Sequence, residues 1–319
     1  MNCSLDALLS SPDAVERRTR RWLFEKRVVA SGGERYVLYR FPTEAQAAAL
    51  ERFLVAGAEA GVPMQQFLGR THGWRAALRQ RGYWLVSSYE PGEPLIGRGS
   101  AQTLSALGRA LAALHSLESE RPGPLFGVGL PWPGHAARLR WELSSALRRG
   151  RAVIAAADCA AWLREHGGFV EGITRFQLAH GDLYGKNVLV RERGGAVYLI
   201  DYELAAYQPA GLELGLALLR AFCGEDAALR RSLLEAYLAH CTPWVREAWD
   251  EHHAFFLIAA ALRLAGSRQR RARILARRGL PADQPRDHAV RYLQWAERMV
   301  RAHRAGARGA EALLECCVS

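Results

Sequence analysis

The sequence contains only two lysines, Lys26 and Lys186, in a chain of 319 residues with a formal net charge of +11. Its positive charge is therefore almost entirely arginine. A strongly basic chain attracts anions, so the charge points to nucleotides, phosphosugars, nucleic acid or membrane surfaces as partners. The same arginine excess, with abundant alanine and glycine, is typical of coding bias, and we expect part of the charge to be ordinary surface.

Long apolar runs are also missing. The run at residues 255–262 is closed by Arg263 and falls far short of the roughly 20 residues that span a bilayer. The N-terminus lacks a basic start followed by an apolar stretch, which argues against a secretory signal. We therefore expect a cytoplasmic protein.

Cysteine pairs with metal-binding spacing are absent too. The six cysteines are scattered along the chain and contain no CxxC pair, which excludes the common zinc arrangements. In a reducing compartment we expect all six to be free thiols. They are Cys3, Cys159, Cys223, Cys241, Cys316 and Cys317.

The first part of the chain is rich in strand signals. Residues 10–27 are interpreted as a short helix or arm. Residues 28–30 and 36–41 are strand-like, and Gly32-Gly33 lies in the turn between them. Thr43 is placed to cap a helix over residues 44–60, and a further strand is expected near residues 83–86.

The remainder is mostly helical. A Pro/Gly-rich connector at residues 89–95 precedes an amphipathic helix at 101–117, and helical segments are predicted at 138–157 and across most of 212–304. The pattern predicts an α+β fold with two lobes, a small β-rich one at residues 1–88 and a larger helical one at 89–319. A ligand is expected in the cleft between them.

The strongest chemical signal is the loop HGDLYGKN at residues 180–187. A strand follows it directly, and a second strand ends in Ile200-Asp201. A short hairpin would bring Asn187 and Asp201 to neighbouring strand ends, where their oxygens suit magnesium. Asp182 lies on the loop, where it can reach a substrate hydroxyl. These are the parts that phosphoryl transfer requires, namely a metal site and a carboxylate that accepts the hydroxyl proton.

On these residues the chain resembles the aminoglycoside phosphotransferase and choline kinase family, which has a protein-kinase-like fold. The resemblance rests on HGDLYGKNVLV and LIDYELA. It implies a kinase that uses ATP and Mg²⁺, with Asp182 and Asn187 in catalysis. Asn187 and Asp201 would hold the metal, and His180 would brace the loop.

The resemblance extends to further residues. Glu213 falls where the family often has an aspartate that supports the catalytic loop. The stretch that contains Ser88, Tyr89 and Glu90 is similar to the family's hinge, so backbone groups there would contact adenine. Lys186 is interpreted as either a γ-phosphate contact or a solvated loop residue, and Glu203 is grouped with the supporting residues.

The N-terminal part departs from the family in its phosphate-binding residues. The family's lysine on the third strand is missing, so Arg40 or Tyr39 would stand in its place, paired with Glu44 or Glu51. No convincing glycine-rich loop precedes residue 28. The departures concern nucleotide binding more than catalytic geometry.

The arginines between Arg268 and Arg278 lie on a predicted helix. They are interpreted as a solvated face, or as a contact for an anionic membrane or a polyanionic substrate. No aromatic residues interleave them, so nucleic acid is not an expected partner.

Two functions follow from these observations. The first is a kinase acting on an uncharged or anionic hydroxyl, such as a cell-envelope core sugar or a metabolite alcohol, with an aminoglycoside as the alternative acceptor. The second is a nucleotide-binding pseudokinase without transfer activity. The sequence leaves the acceptor, ATP against GTP and the oligomeric state open.

Overall fold

The computed structural model describes residues 14–20, 25–75, 80–97, 99–125, 159, 161–162, 165–166, 168, 172–191, 195–220, 223 and 226–317. The N-terminal part is built on a five-stranded antiparallel sheet in the order β1-β2-β3-β5-β4. Its strands are β1 (Ala14–Arg20), β2 (Glu25–Ser31), β3 (Glu34–Phe41), β4 (Phe67–Arg75) and β5 (Gln80–Ser88).

The helix or arm predicted for residues 10–27 is wrong in its described part. Ala14–Arg20 forms strand β1, which pairs antiparallel with β2 from Ala14↔Ala30 to Arg20↔Glu25. A register shift between Val15 and Arg17 interrupts the pairing. Because β1 is rich in arginine and lacks strict apolar alternation, its strand conformation follows from pairing with β2 rather than from its own pattern.

The predicted hairpin and first helix are confirmed. Gly32 and Gly33 adopt φ angles of 60° and 80° in the turn between β2 and β3, a conformation that glycine adopts without steric cost. Helix α1 (Glu44–Glu59) follows, and the Thr43 side chain accepts a hydrogen bond from the Gln46 N–H at its start. Its buried side chains pack on the sheet.

The two faces of β3 have different environments, because side chains alternate along a strand. Val37, Tyr39 and Phe41 belong to the main core that includes α1. Leu38 points the other way and packs with Val29, Trp84 and Val86 in a separate small cluster. The alternation decides which residues of this sheet face the main core and which face the small cluster.

A set of short strands joins the sheet to the helical part. Strands β6 (Glu93–Pro94), β10 (Val188–Val190) and β11 (Val197–Leu199) form one small sheet. The other contains β7 (Glu118–Ser119), β8 (Gly123–Pro124), β9 (Phe176–Ala179) and β12 (Ala206–Gln208). The predicted strand pair after the HGDLYGKN loop is thereby confirmed, and Leu199 N–H also donates to the Pro63 carbonyl from the segment after α1.

Helices form most of the C-terminal part, as predicted. They are α2 (Ala101–His115), α3 (Ala210–Leu218), α4 (Ala227–His240), α5 (Pro243–Arg277), α6 (Asp283–Arg304) and α7 (Ala310–Glu315). Helix α5 has a kink at His252, where φ is −123° and ψ is 15°. The helix predicted at residues 138–157 lies outside the described residues.

The apolar run at residues 255–262 lies within α5 and is buried in the main core, packed near α3. In the part of the chain that the structure covers, no helix has the length and apolar character needed to span a membrane.

Candidate active site

The HGDLYGKN loop runs from the end of β9 to the start of β10. Its Gly181 has a φ of 78°. A Cβ built on Gly181 would lie 2.0 Å from the Leu204 carbonyl oxygen. Glycine is therefore required at this position for two reasons. Its backbone has a positive φ, and the loop approaches the segment after β11 too closely for a Cβ.

A buried carboxylate holds the start of this loop. Glu213, in the first turn of α3, accepts hydrogen bonds from the backbone N–H groups of His180 and Gly181, both at 2.8 Å. Nε2 of His115 lies 3.2 Å from the same carboxylate, and its Nδ1 lies 2.7 Å from the Tyr237 hydroxyl. The predicted supporting residue Glu213 thus contacts the loop directly.

The charge state of Glu213 fits this bracing arrangement. Burial alone would raise the pKa of the carboxyl, but the hydrogen bond and charge of His115, together with the hydrogen bond from the His180 backbone N–H, outweigh it and leave the pKa below its ordinary value. The side chain is therefore ionised near neutral pH. Sequence reasoning did not assign His115 to the site, although a histidine among the apolar positions of α2 was the available signal.

The ring of His180 ties the loop to the end of β11. Its Nε2 lies 2.8 Å from the Ile200 carbonyl oxygen and must donate to it. Its Nδ1 accepts the Asp182 backbone N–H at 3.3 Å. These two contacts use the neutral ring, with the proton on Nε2. The geometry of His180 is that of a positioning residue.

Asp182 and Asn187 contact each other across the loop. The Asn187 Nδ2 donates to the Asp182 carbonyl oxygen at 2.8 Å and to its carboxylate Oδ2 at 3.1 Å. This orientation directs the amide oxygen of Asn187 away from Asp182. Lys186 Nζ is 3.8 Å from Asp182 Oδ2, with its side chain 56% exposed.

Asp201 reaches the same place from β11. The Ile200 N–H donates to the Asn187 carbonyl oxygen at 3.0 Å, so Asp201 follows directly on a residue bonded to Asn187. Asp201 has a φ of 71° and is the one non-glycine residue with positive φ among the described residues. Aspartate is among the non-glycine residues that adopt this left-handed conformation most readily.

The donor chemistry of this pair fits magnesium. Asn187 offers an amide oxygen and Asp201 a carboxylate, both hard ligands that Mg²⁺ accepts together with phosphate oxygens and water. Within the described ranges, no group of three or more His, Cys, Asp or Glu side chains forms a metal cage. A site of this kind depends on the nucleotide phosphates to complete the coordination of the ion.

The predicted hinge residues begin at Ser88, the last residue of β5. The Ser88 N–H donates to the Gln66 carbonyl at 2.9 Å, and the Ser88 carbonyl accepts from the Gln65 side chain at 3.3 Å. The Ser88 N–H is thus already hydrogen-bonded within the protein. Glu90 accepts from Ser88 Oγ at 2.7 Å and forms an ion pair with Arg191 at 2.9 Å.

Tyr39 and Arg40 lie on opposite faces of β3. The Tyr39 hydroxyl donates to Gln65 Oε1 at 2.6 Å, and its pKa is raised by burial and by the negative charge of Asp201. Arg40 instead contacts Glu25 at 3.5 Å on the outer face. Of the two residues considered as replacements for lysine, the structure therefore brings Tyr39 and not Arg40 towards Asp201.

A lysine nevertheless lies on the cleft face of this sheet. Lys26 on β2 is directly opposite Tyr39 in the β2–β3 register. Its Nζ lies 5.8 Å from the centroid of the Tyr39 ring. Sequence reasoning missed Lys26, although it is the only lysine in the N-terminal part and strand alternation was a usable signal.

The predicted ion pair between α1 and β3 is not what the structure contains. Glu51 pairs with Arg70 of β4 at 2.8 Å, and Glu44 lies 3.7 Å from the same arginine. Arg40 is held by Glu25, whose carboxylate also pairs with Arg27 at 2.6 Å. The predicted supporting residue Glu203 has its side chain outside the described part of the structure.

Solved structures with the same fold cover nearly the whole chain. A protein of Ralstonia eutropha, proposed to be an aminoglycoside phosphotransferase, is 16% identical, with a TM-score of 0.59 over 93% of this chain and 97% of its own. A thermostable mutant of APH(4)-Ia in ternary complex with AMP-PNP and hygromycin B is 17% identical, with a TM-score of 0.52 over 96% and 100%. The macrolide 2'-phosphotransferase MphH of Brachybacterium faecium is 18% identical, with a TM-score of 0.50 over 87% and 90%.

These likenesses confirm the predicted α+β, two-lobed, protein-kinase-like fold. No curated protein sequence matches the chain. Residues 15–255 match the phosphotransferase enzyme family, APH. This match contains the sheet, the HGDLYGKN loop, Asp201 and Glu213, and it confirms the enzyme class that the sequence predicted. The chain therefore belongs to the phosphotransferase enzyme family.

Proposed function

We propose that the chain transfers the γ-phosphoryl group of ATP to a hydroxyl of a small-molecule or sugar acceptor. The observation that carries this proposal is the contact between Asp182 and Asn187 at 2.8 and 3.1 Å, beside Asp201. The loop and the end of β11 thereby present a carboxylate for the acceptor next to two oxygen donors for a metal. Phosphoryl transfer needs this combination of positioning and electrostatic stabilisation.

In the proposed step, the acceptor oxygen attacks the γ-phosphorus and forms the new P–O bond. The bond between the γ-phosphorus and the β,γ-bridging oxygen breaks, and its electron pair leaves with ADP. Asp182 accepts the proton of the acceptor hydroxyl. Asn187 orients Asp182 through its two hydrogen bonds, while His180 and Glu213 hold the loop backbone.

ATP is proposed to bind between residues 1–88 and 89–319, with adenine near the backbone of Tyr89 and Glu90. Lys26 and Tyr39 are placed to face its phosphates from the sheet. Asn187 and Asp201 would hold Mg²⁺, which when bound neutralises charge on the β- and γ-phosphates. Arg40 and Glu51, paired with Glu25 and Arg70, are assigned structural roles in this proposal.

The acceptor is proposed to be uncharged or anionic, for example a core sugar of the cell envelope or a metabolite alcohol. The solved relatives include proteins that act on aminoglycosides and macrolides, so an aminoglycoside is the alternative acceptor. A net charge of +11 disfavours a polycationic acceptor unless acidic residues line its site. Contact of Arg268–Arg278 with an anionic membrane also stays a prediction.

A second candidate function is a nucleotide-binding pseudokinase. The absence of lysine from β3 favours the pseudokinase, since a protein that binds the phosphates weakly can hold the nucleotide without transferring its phosphoryl group. Lys26 argues against it, because a cation faces the same cleft from the neighbouring strand. Binding of Mg-ATP without phosphoryl transfer would distinguish the pseudokinase from the kinase.

The experiment combines the purified chain with Mg-ATP and a panel of sugars, phosphosugars, amino alcohols and aminoglycosides. Phosphorylated product is detected by mass spectrometry, and nucleotide binding is measured separately by calorimetry. The proposal expects a phosphate monoester of at least one hydroxyl acceptor. Tight binding of Mg-ATP with no ester from any member of the panel would favour the pseudokinase.

A further inference from the structure

Three cationic side chains surround one tyrosine of the catalytic loop. The guanidinium carbon of Arg220 lies 3.6 Å from the centroid of the Tyr184 ring. Arg268 of α5 and Lys186 each lie 5.9 Å from the same centroid. Tyr184 is two residues from Asp182, and its N–H donates to the Asp182 carbonyl oxygen at 2.7 Å, so these cations lie beside the turn that carries Asp182.

Arg220 is unusual among these cations because it is buried. Its residue is only 8% exposed, and it follows the end of α3. Its Nε and Nη1 are buried and have no hydrogen-bond partner among the described residues. Nε of Arg268 is also buried and has no hydrogen-bond partner among the described residues.

Buried guanidinium donors without partners are costly. Arginine stays charged at any ordinary pH, and a buried ion that lacks hydrogen bonds is destabilising unless a partner supplies them. Stacking of Arg220 on Tyr184 offsets part of this cost, but it leaves the Nε and Nη1 donors without partners. An oxyanion is the partner whose geometry matches such donors.

The positive charge near Tyr184 contributes to the pKa shifts of Tyr184 and His288. Burial alone would raise the pKa of the Tyr184 hydroxyl, but Arg220, hydrogen bonds with Ser267 and Arg220, and Arg268 together lower it. Burial, Arg268 and Arg291 likewise lower the pKa of His288. Arg268 contributes to both shifts, so positive charge is concentrated around this position.

We propose that Arg220 and Arg268 form a pocket for an oxyanion of the acceptor, so that the substrate is a hydroxyl compound that also carries a carboxylate or phosphate. The inference rests on the proposed function, because it assumes that the acceptor reaches Asp182. Arg220 provides the buried donors, and Arg268 provides the second charge. Lys186, which is exposed, lies at the rim of this pocket.

The pocket divides the arginines of α5 into two groups. Arg268 is partly buried and faces Tyr184. Arg270, Arg271 and Arg273 are exposed on the same helix. Removing one of these exposed arginines changes the net charge of the protein by the same amount without touching the pocket, which makes Arg271→Gln the matched control.

The test measures oxyanion binding to the full chain by thermal shift. The protein is first saturated with Mg-AMP-PNP, so that the nucleotide's own phosphates fill their site. Inorganic phosphate and, separately, acetate are then titrated against chloride at equal ionic strength. Wild type is compared with Arg220→Gln, Arg268→Gln and Arg271→Gln.

The expected result is stabilisation of wild type by at least one of the two anions, and the stronger anion identifies the oxyanion class. Arg220→Gln and Arg268→Gln should each weaken that binding about tenfold or more, the usual effect of losing a charged hydrogen-bond donor. Arg271→Gln should bind within about twofold of wild type, as expected for an exposed charge. Without ligand, Arg220→Gln should be at least as stable as wild type, because the costly buried charge is gone.

The inference is overturned if neither anion stabilises wild type, or if Arg220→Gln and Arg271→Gln respond alike. Should Arg220→Gln fail to fold, Arg268→Gln decides alone, and unchanged binding in it contradicts the pocket. Phosphoryl transfer to neutral acceptors without oxyanion binding would reject this inference and leave the proposed function intact. If oxyanion binding depends on Arg220 but no Asp182-dependent transfer occurs, the proposed function is rejected and the inference of the pocket stands.

Discussion

Lys26 lies directly opposite Tyr39 in the β2–β3 ladder, with its Nζ 5.8 Å from the centroid of the tyrosine ring. Burial and the negative charge of Asp201 both raise the pKa of this tyrosine. A lysine on β2 therefore lies on the same face of the sheet as Tyr39, one of the two residues predicted to replace the family's β3 lysine. Arg40, which the sequence suggested for this role, points to the opposite face and contacts Glu25.

Replacing Lys26 by methionine is expected to weaken Mg-ATP binding by about tenfold to a hundredfold, since a charge-assisted hydrogen bond to phosphate contributes about 1.5–3 kcal/mol. Arg40→Gln should change the affinity by less than about threefold. Calorimetric titration with Mg-AMP-PNP measures both. A large loss of affinity in Arg40→Gln, with no loss in Lys26→Met, would assign phosphate binding to Arg40 instead of Lys26.

Replacing Glu213 by glutamine should destabilise the fold. The carboxylate accepts two backbone N–H groups, and an amide would turn an NH₂ towards one of them. The expected loss is about 3 kcal/mol in the free energy of unfolding at pH 7. Glu235→Gln, at an exposed position, is the control and should lose less than about 0.5 kcal/mol. Urea denaturation measures both.

The same side chain predicts a pH dependence. The pKa of Glu213 in the folded protein lies below its unfolded value of 4.5. Its ionised form therefore stabilises the fold fully above pH 4.5, and that contribution is lost as the pH falls through the lower, folded pKa. Glu213→Gln should show a shallower loss of stability on acidification in this range than wild type. Parallel slopes in the two proteins would contradict the assignment.

Gly181→Ala should be far more damaging than Gly61→Ala. Both glycines have positive φ, 78° and 74°, so both substitutions carry a conformational cost of about 1–2 kcal/mol. Only at Gly181 does the added Cβ meet a backbone carbonyl, whereas at Gly61 it meets open space. We expect Gly181→Ala to lose about 3 kcal/mol or more in stability, along with transfer activity. Equal midpoints in chemical denaturation would show that the approach of the loop to Leu204 is unimportant.

Asp201→Asn is expected to keep the fold, because asparagine tolerates the left-handed conformation that Asp201 adopts. Removing the carboxylate should raise the Mg²⁺ concentration needed for half-maximal transfer by about tenfold or more. A magnesium titration at fixed ATP measures this, with circular dichroism as the check on folding. An unchanged magnesium requirement would remove Asp201 from the metal site.

The hairpin, α1 and the catalytic loop could be predicted because their signals are local. Turn glycines, a threonine cap and a helical apolar period are visible in short windows of sequence. Strand β1 could not be predicted, because its arginine-rich sequence lacks strict apolar alternation and becomes a strand by pairing with β2. The sequence left the choice between Tyr39 and Arg40 open for a related reason, since a shift of one residue exchanges the two faces of a strand.

The parts of the site that depend on distant residues were harder to foresee. His115 and Glu213 are 98 residues apart in sequence, and they meet where the end of α2 approaches the first turn of α3. The stacking of Arg220 on Tyr184 joins the end of α3 to the catalytic loop. Because such contacts carry no local pattern, a single sequence indicates the chemistry of the loop but not the residues around it.

Asp182→Asn tests the central claim most directly, because it removes the proton acceptor and leaves the side chain nearly the same size. The rate of phosphate ester formation from Mg-ATP and an accepted hydroxyl compound is compared between wild type and variant. Nucleotide affinity is measured in parallel. We predict a loss of about 10²-fold to 10⁴-fold in rate, the range expected for a general base, with Mg-AMP-PNP affinity within about threefold of wild type. Transfer by Asp182→Asn at the wild-type rate would contradict the account.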